Sequence, residues 1–435
     1  MSVTDVAASE VAVPELRVPG QGRRRVIGAL TFVLGLFIIL VFGFGSASGA
    51  HSVVAFNPVN TASGAPWGLS DLTVLTRWWN VVLGLIAVGI GVETWVRRPA
   101  GALARFGIGG VMFFLALLLW SVRQPGPATI GTINLTSVLV NSSAVIMVLI
   151  YGSLSGVLCE RSGVVNIAIE GQLIGGALAG GMVDSVTNSF WLAAVVGTLV
   201  GAAIGALLAL LAVRYLADQI IIGVVIVTLM GSISSFVNIQ VLAPYPNLNL
   251  GNAPSNVAIP LLYKIPVIGP TLFDENMFFY AAVLLVALVS FGLFRTRWGL
   301  RVRSVGEHPK AAESVGINVA RVRYSTVILG GAVAGLGGVA FIATQGQFQP
   351  GITSGYGYIA LAAMIFGRWK PSGAVVASII FGLSAYMVQN LSSSNVPIGT
   401  EFLTMFPYLV TIAVVAGLIG RVRPPAADGV PYQRD

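Results

Sequence analysis

This sequence predicts an all-α fold, a polytopic transmembrane helix bundle of about twelve spans. Three observations predict it. The 435-residue chain is 56% hydrophobic and only 9% charged, whereas an average soluble domain carries roughly 25% charged residues, so a soluble fold would lack a polar shell. Apolar stretches of about 20 residues, enough to cross a bilayer as a helix, recur along the chain. Basic residues cluster at the ends of those stretches and sort to one side, as membrane topology requires.

Taken in order, the candidate spans cover residues 26–45, 79–96, 104–122, 136–158, 170–186, 190–213, 219–242, 276–294, 324–343, 352–367, 371–391 and 404–421. Segment 170–186 is short and Gly-rich, and 352–367 is shorter still; either suits a re-entrant or broken helix. About 22 residues, including Glu10 and Glu15, precede the first arginine cluster, and the apolar run after it is too long for a typical signal core. It is expected to be a retained first helix.

The charges test this map. With Arg23, Arg24 and Arg25 placed in the cytoplasm, Arg97, Arg98, Arg105, Arg161, Arg214, the cluster from Arg295 to Arg323, Arg368, Lys370, Arg421 and Arg423 also fall inside. Of the 24 lysines and arginines, only Arg77, Arg123 and Lys264 fall outside. The expected topology is a multi-pass protein of the plasma membrane with both termini cytoplasmic. The outer loop 46–78 ends in Trp78 and Trp79, suited to anchoring at the interface. The formal charge of +8 is spread along span ends rather than gathered on one domain, which argues against nucleic acid as a partner.

Several chemistries are excluded. The chain has no G-x-x-x-x-G-K-[ST] phosphate loop, no H-E-x-x-H and no G-x-S-x-G. His51 and His308 lie far apart, so no metal site is expected, and Cys159 is the lone cysteine, so no internal disulfide can form. An enzyme is not expected.

Two segments carry information. The first runs Glu160-Arg161-Ser162-Gly163-Val164-Val165-Asn166-Ile167-Ala168-Ile169-Glu170-Gly171-Gln172 and brings an amide and two carboxylates to the membrane edge. A carboxylate entering an apolar helix must pair or face water. Either this segment forms a polar site near a transport path, or Glu160 and Arg161 pair with each other while Glu170 sits in a first helical turn, where the dipole favours an anion. Glycines then repeat at four-residue spacing: Gly171 and Gly175, Gly176 and Gly180, Gly197, Gly201 and Gly205, and Gly331 and Gly335. Such small-residue faces predict close helix crossings.

The second segment is the basic inner loop 295–323. Pro309 suits the first position of a helix, Lys310, Ala311, Ala312 and Glu313 continue it, and Gly316 stops it. A Pro-started, Gly-stopped helix of about two turns is more than topology requires. It is read as a docking helix for a partner, with Glu307 just ahead of it.

These segments resemble the permease subunits of bacterial ABC importers, in the branch serving branched-chain amino acids, simple sugars and nucleosides. Residues 160–172 look most like the nucleoside permeases, and Gly306 to Val319 looks like that group's coupling region. A third match is Gly357-Tyr358-Ile359-Ala360-Leu361-Ala362-Ala363-Met364-Ile365-Phe366-Gly367-Arg368-Trp369-Lys370-Pro371. The matches span about 136–421, the expected permease core with its coupling loop 295–323, and the first 135 or so residues depart from the pattern. The charge map and a composition shift near 123–135 set off a cytoplasmic tail (1–25), an N-terminal extension of about three helices (26–135) and a second cytoplasmic tail (422–435). The resemblance implies cytosolic ATPase subunits as partners, using ATP and Mg, with no cofactor bound by this chain. It also implies a second permease subunit, expected as a heterodimer, and an extracytoplasmic solute-binding lipoprotein, within a shell of membrane lipids. Glu307, Pro309, Lys310, Ala311, Ala312, Glu313 and Gly316 are the candidate coupling residues. Candidate path-lining residues are Asn141, Asn166, Glu170, Gln172, Asn238, Gln345 and Gln347; for each, a helix–helix hydrogen bond is an equal reading. The alternatives are the same machinery importing sugars or branched-chain amino acids, or a stand-alone secondary transporter. The latter usually holds ionisable groups in mid-membrane, whereas Glu170 and Asp184 stand near predicted helix ends.

Overall fold

The structure, a computed structural model, describes residues 21–57, 69–97, 101–121, 131–393, 405 and 423–433. Except for Met405, the expected span 404–421 lies outside the described residues, as do residues 1–20 of the expected N-terminal tail. Along the chain come α1 (Gln21–Phe37), β1 (His51–Ala55), β2 (Leu72–Leu75), α2 (Thr76–Arg97), α3 (Ala102–Ser121), β3 (Gly131–Asn134), α4 (Leu135–Glu160), α5 (Ile169–Thr187) and α6 (Phe190–Ala209). Then follow α7 (Gln219–Val237), β4 (Asn256–Ala258), α8 (Ile268–Phe273), β5 (Asp274–Asn276), α9 (Met277–Arg295), α10 (Arg297–Glu307), α11 (Pro309–Ser314), α12 (Val319–Gln345), α13 (Tyr356–Phe366) and α14 (Pro371–Ser393).

Among the described residues nine helices are long and apolar enough to cross a membrane. The protein is therefore an all-α polytopic bundle. Two expected spans fall outside the nine. Helix α5 has 19 residues, but Glu170, Gln172, Asp184 and its glycines lower its hydropathy. Helix α13 has 11 residues, about 16 Å of rise, against a hydrocarbon core of about 30 Å.

The chain divides into two compact units, residues 1–52 with 74–130, and 53–73 with 131–435. In the first, α1 and α2 meet at glycines: a Cβ on Gly28 would lie 2.6 Å from the backbone N of Trp95, and one on Gly91 2.5 Å from that of Phe32. Glu93 in the last turns of α2 pairs with Arg105 of α3 at 3.2 Å. Trp78 and Trp79 are exposed at the start of α2.

The second unit is built around α4 and α12. Asn134 caps α4 by accepting from the Ser137 N–H at 2.9 Å, and Asn318 caps α12 from Arg321 at 2.9 Å. The four-residue glycine faces pack α12 against α5 and α6 with backbone on backbone. A Cβ on Gly176 would stand 2.2 Å from the Gly335 carbonyl oxygen, and one on Gly201 2.3 Å from that of Gly331. The opposite face of α6 exposes Leu192, Val195 and Leu199, and α7 exposes Ile221, Val225, Leu229 and Phe236. At helical spacing these make apolar stripes that lipid can cover.

The inner loop is more ordered than its charge suggests. Residues 297–307 form α10, capped by the Thr296 hydroxyl, which accepts from the Gly299 N–H at 3.1 Å. Gly299, Val302, Val305 and Gly306 are buried at helical spacing while Arg301 faces out. The helix expected to start at Pro309 is α11, six residues or close to two turns. Gly316 takes the left-handed backbone, φ +86°, that ends it.

Candidate functional site

Helix α4 ends at Glu160, and the chain turns back into the protein before α5 begins. Val164, Asn166 and Ala168 in that turn are fully buried. Ile169 packs on Gly152 and Gly156, one to two turns before the end of α4. Irregular backbone at this depth is tolerated only where protein surrounds it and its polar groups are satisfied. Here they are. Asn166 Nδ2 donates to Ser155 Oγ and to Gln172 Oε1, both at 3.1 Å, and the Val165 N–H donates to Gln219 Oε1 at 2.7 Å. Asn166 and Gln172 are thus bonded to each other, the turn to the start of α5.

Glu170 lies in the first turn of α5, but its carboxylate serves a second helix as well. Oε1 accepts from the Thr353 hydroxyl at 2.6 Å and the Gly355 N–H at 3.0 Å, and Oε2 accepts from the Gly357 N–H at 2.6 Å. The starts of α5 and α13 therefore converge on one buried carboxylate, which stabilises the orphan donors and positive dipole ends of both. The approach needs glycine: a Cβ on Gly357 would fall 2.5 Å from the Glu170 backbone N, and Gly355 has φ +82°.

The other path candidates are scattered. Asn141, Gln345 and Gln347 are exposed, Asn238 is half-buried, and among the described residues no hydrogen bond joins them to one another. Asp184 accepts the Asn252 N–H at 2.7 Å, tying the end of α5 to the loop after α7.

At the basic end the three sequence motifs meet. Trp369 Nε1 donates to Glu160 Oε2 at 2.6 Å, and Arg161 Nε donates to the Trp369 carbonyl at 2.9 Å. Glu160 and Arg161 are therefore bridged through Trp369 rather than paired with each other. Arg368 and Trp369 both hold left-handed backbone, φ 56° and 52°, a strained conformation for residues with side chains. A Cβ on Gly306 would stand 2.3 Å from the Arg161 carbonyl oxygen, so the α10 end is seated directly on the first motif. In α11, Ala312 is buried with Val305 and Val319, while Lys310, Ala311 and Ser314, and Gly316 just after it, are exposed. A cavity of about 660 Å³ opens beside it, lined by Arg214, Glu313, Asn318, Tyr324 and Tyr432 among others.

Residues 423–433, read from sequence only as a tail, close this end. The Ala427 N–H donates to the Gly306 carbonyl at 2.8 Å, and Arg323 Nη1 donates to the Val430 carbonyl at 3.0 Å. Asp428 is brought against Glu160, and burial raises its carboxyl to about 6. The sequence signal was slight: Pro424-Pro425 and Asp428-Gly429 announce turns but not what they turn onto.

The family described as branched-chain amino acid transport system, permease component, matches residues 138–415. The chain belongs to this family. The matched stretch of the permease begins in α4 and leaves out α1 to α3. The chain is 38% identical to the nucleoside ABC transporter permease protein NupC of Lactococcus lactis subsp. cremoris, over 65% of this chain and 92% of that one. It is 37% identical to the guanosine ABC transporter permease protein NupQ of Bacillus subtilis, with the same coverage. It is 32% identical to the putative glucose ABC transporter permease protein TsgC13 of Haloferax volcanii, over 62% of this chain and 87% of that one. No solved structure gives a significant match.

Proposed function

We propose that this permease is the membrane subunit of an ABC importer and forms the path by which nucleosides enter the cell. The observation that carries the reading is the similarity to two permeases named for nucleosides and guanosine, which extends over nearly their whole length. The basic end, with α10 and α11, faces the cytoplasm, where a separate ATPase docks on α11 and hydrolyses Mg-ATP. The exposed coupling residues are Glu307, Lys310, Ala311 and Gly316, with Pro309 and Glu313 half-buried; Ala312 supports the helix from beneath. A second permease subunit and a solute-binding lipoprotein complete the assembly. The path residues are drawn from Asn141, Gln345 and Gln347, which are exposed, and Asn238, which is half-buried.

Deleting the gene abolishes uptake of a labelled nucleoside at low concentration, and a plasmid copy restores it. A second reading, sugar uptake, is favoured by the similarity to the putative glucose permease. Unchanged nucleoside uptake with lost sugar uptake in the deletion strain establishes that second reading and overturns the first.

A further inference from the structure

A helix of six residues cannot hold itself in place, because so short a segment barely offsets the cost of its own nucleation. Its position must come from its neighbours, and three hold α11. Beneath it, Ala312 packs on Val305 and Val319. Before it, the Gly306 carbonyl accepts from the Ala427 N–H at 2.8 Å, and Glu307 Oε2 accepts from the Ala426 N–H at 3.3 Å. Beside it the Tyr432 hydroxyl donates to the Glu313 carboxylate, while Arg323 Nη1 in the second turn of α12 donates to the Val430 carbonyl at 3.0 Å. One short stretch, 426–432, therefore bonds to the end of α10, to α11 and to α12, elements that follow one another in the chain. In sequence that stretch lies more than a hundred residues after the elements it bonds.

We infer that the C-terminal segment 424–432 is a strut of the coupling apparatus, and that Tyr432, through Glu313, is a positioning residue that fixes the docking helix to α12. The inference rests on the reading of this chain as a permease worked by a docked ATPase. Force applied to a loosely held α11 would be lost in local motion. Force applied to an α11 latched through Tyr432 reaches α12, the helix whose glycines pack against α5 and α6. Glu313 is then an internal acceptor rather than a group offered to the ATPase.

The full chain is co-expressed with its ATPase, second permease subunit and receptor, reconstituted in liposomes, and ATP hydrolysis is measured with and without solute-loaded receptor. Tyr432→Phe removes only the hydroxyl. The expected result is an unchanged amount of assembled complex and an unchanged basal rate, with receptor stimulation reduced at least threefold. Glu313→Gln keeps an acceptor oxygen and retains stimulation. Glu313→Leu loses it to the same extent as Tyr432→Phe, and the double variant is no worse than either. A spin label at Val315→Cys, an exposed position, gains mobility in Tyr432→Phe in the permease itself. Wild-type stimulation in Tyr432→Phe overturns the inference. So does loss of stimulation in Glu313→Gln, which assigns Glu313 to a basic group of the ATPase. A wild-type chain that recruits no ATPase overturns the permease reading and this inference with it, and unchanged label mobility overturns the latch alone.

Discussion

The Glu170 carboxylate accepts the backbone N–H of Gly357 at 2.6 Å across 187 residues of sequence. With the Thr353 hydroxyl and the Gly355 N–H it satisfies three donors, two of them buried and that of Gly355 half-buried. Leaving a buried donor unpaired costs roughly 1–3 kcal/mol, and charge-assisted bonds stand at the upper end of such values. Glu170→Leu is therefore expected to destabilise the permease by several kcal/mol, seen as a large drop in apparent melting temperature in detergent and in membrane abundance. Glu170→Gln retains one acceptor oxygen and loses less. Full abundance and melting temperature in Glu170→Leu, with uptake lost, would instead place Glu170 in the solute path.

The glycine seam allows no side chain. A Cβ on Gly335 would stand 2.3 Å from the Gly197 carbonyl oxygen, and the facing atoms are backbone that cannot swing aside. Inserting even small groups into a close-packed contact costs about 1–3 kcal/mol. Gly335→Leu, with four added carbons against backbone, should exceed that range and prevent stable insertion, while Gly335→Ala is intermediate. Gly231, whose Cβ would meet nothing within 4 Å, is the control: Gly231→Ala should leave abundance unchanged. Membrane abundance of the three variants checks this.

The seam was legible in sequence because packing through small residues has a fixed helical period, and the described spans were legible because lipid demands length and apolarity. What sequence did not disclose was pairing over distance. Glu170 and Gly357, Glu160 and Trp369, and Gly306 and Ala427 meet only after the chain has crossed the bundle. Helix α10 escaped for a different reason. Its arginines read as a solvated loop, and the buried Gly299, Val302, Val305 and Gly306 carry too little hydrophobicity to outweigh them. Of the path residues, Asn166 and Gln172 proved bonded to each other, because an amide held inside a bundle finds the nearest partner.

Stability should depend on pH through Glu275. This residue precedes α9, is 4% exposed, and its Oε1 has no hydrogen-bond partner. Burial raises its carboxyl from 4.5 to about 8. Below pH 4.5 the group is protonated whether the protein is folded or not, so it has no effect. Between that pH and about 8 the unfolded chain ionises while the folded one stays neutral, so stability falls as pH rises through this window. The total is on the order of 5 kcal/mol, since a one-proton difference between the two states costs about 1.4 kcal/mol for each pH step crossed. Apparent melting temperatures in detergent at pH 5 and pH 8.5 should differ in the wild type and differ much less in Glu275→Gln. Equal slopes in both would mean that Glu275 titrates normally.

Two adjacent alanines allow folding to be tested apart from the proposed docking. Ala312 is 3% exposed and packed on Val305 and Val319, whereas Ala311 faces away from the protein. A bulky residue at 312 must therefore displace the chain's own core, and Ala312→Trp should reduce abundance before any partner is involved. At 311 the same side chain meets nothing in the isolated permease and only clashes once a partner closes over α11. Overpacking such a contact costs about 1–3 kcal/mol, equivalent to roughly a five- to hundredfold loss of affinity. Ala311→Trp should thus be inserted and stable, bind its receptor on the opposite side of the membrane, and lose both ATPase association and uptake. Co-purification of the ATPase with each variant, scaled to permease abundance, checks the pair. Normal ATPase recovery and normal uptake with Ala311→Trp would mean that the partner does not touch this face of α11, and that residues 309–316 serve only to join α10 to α12.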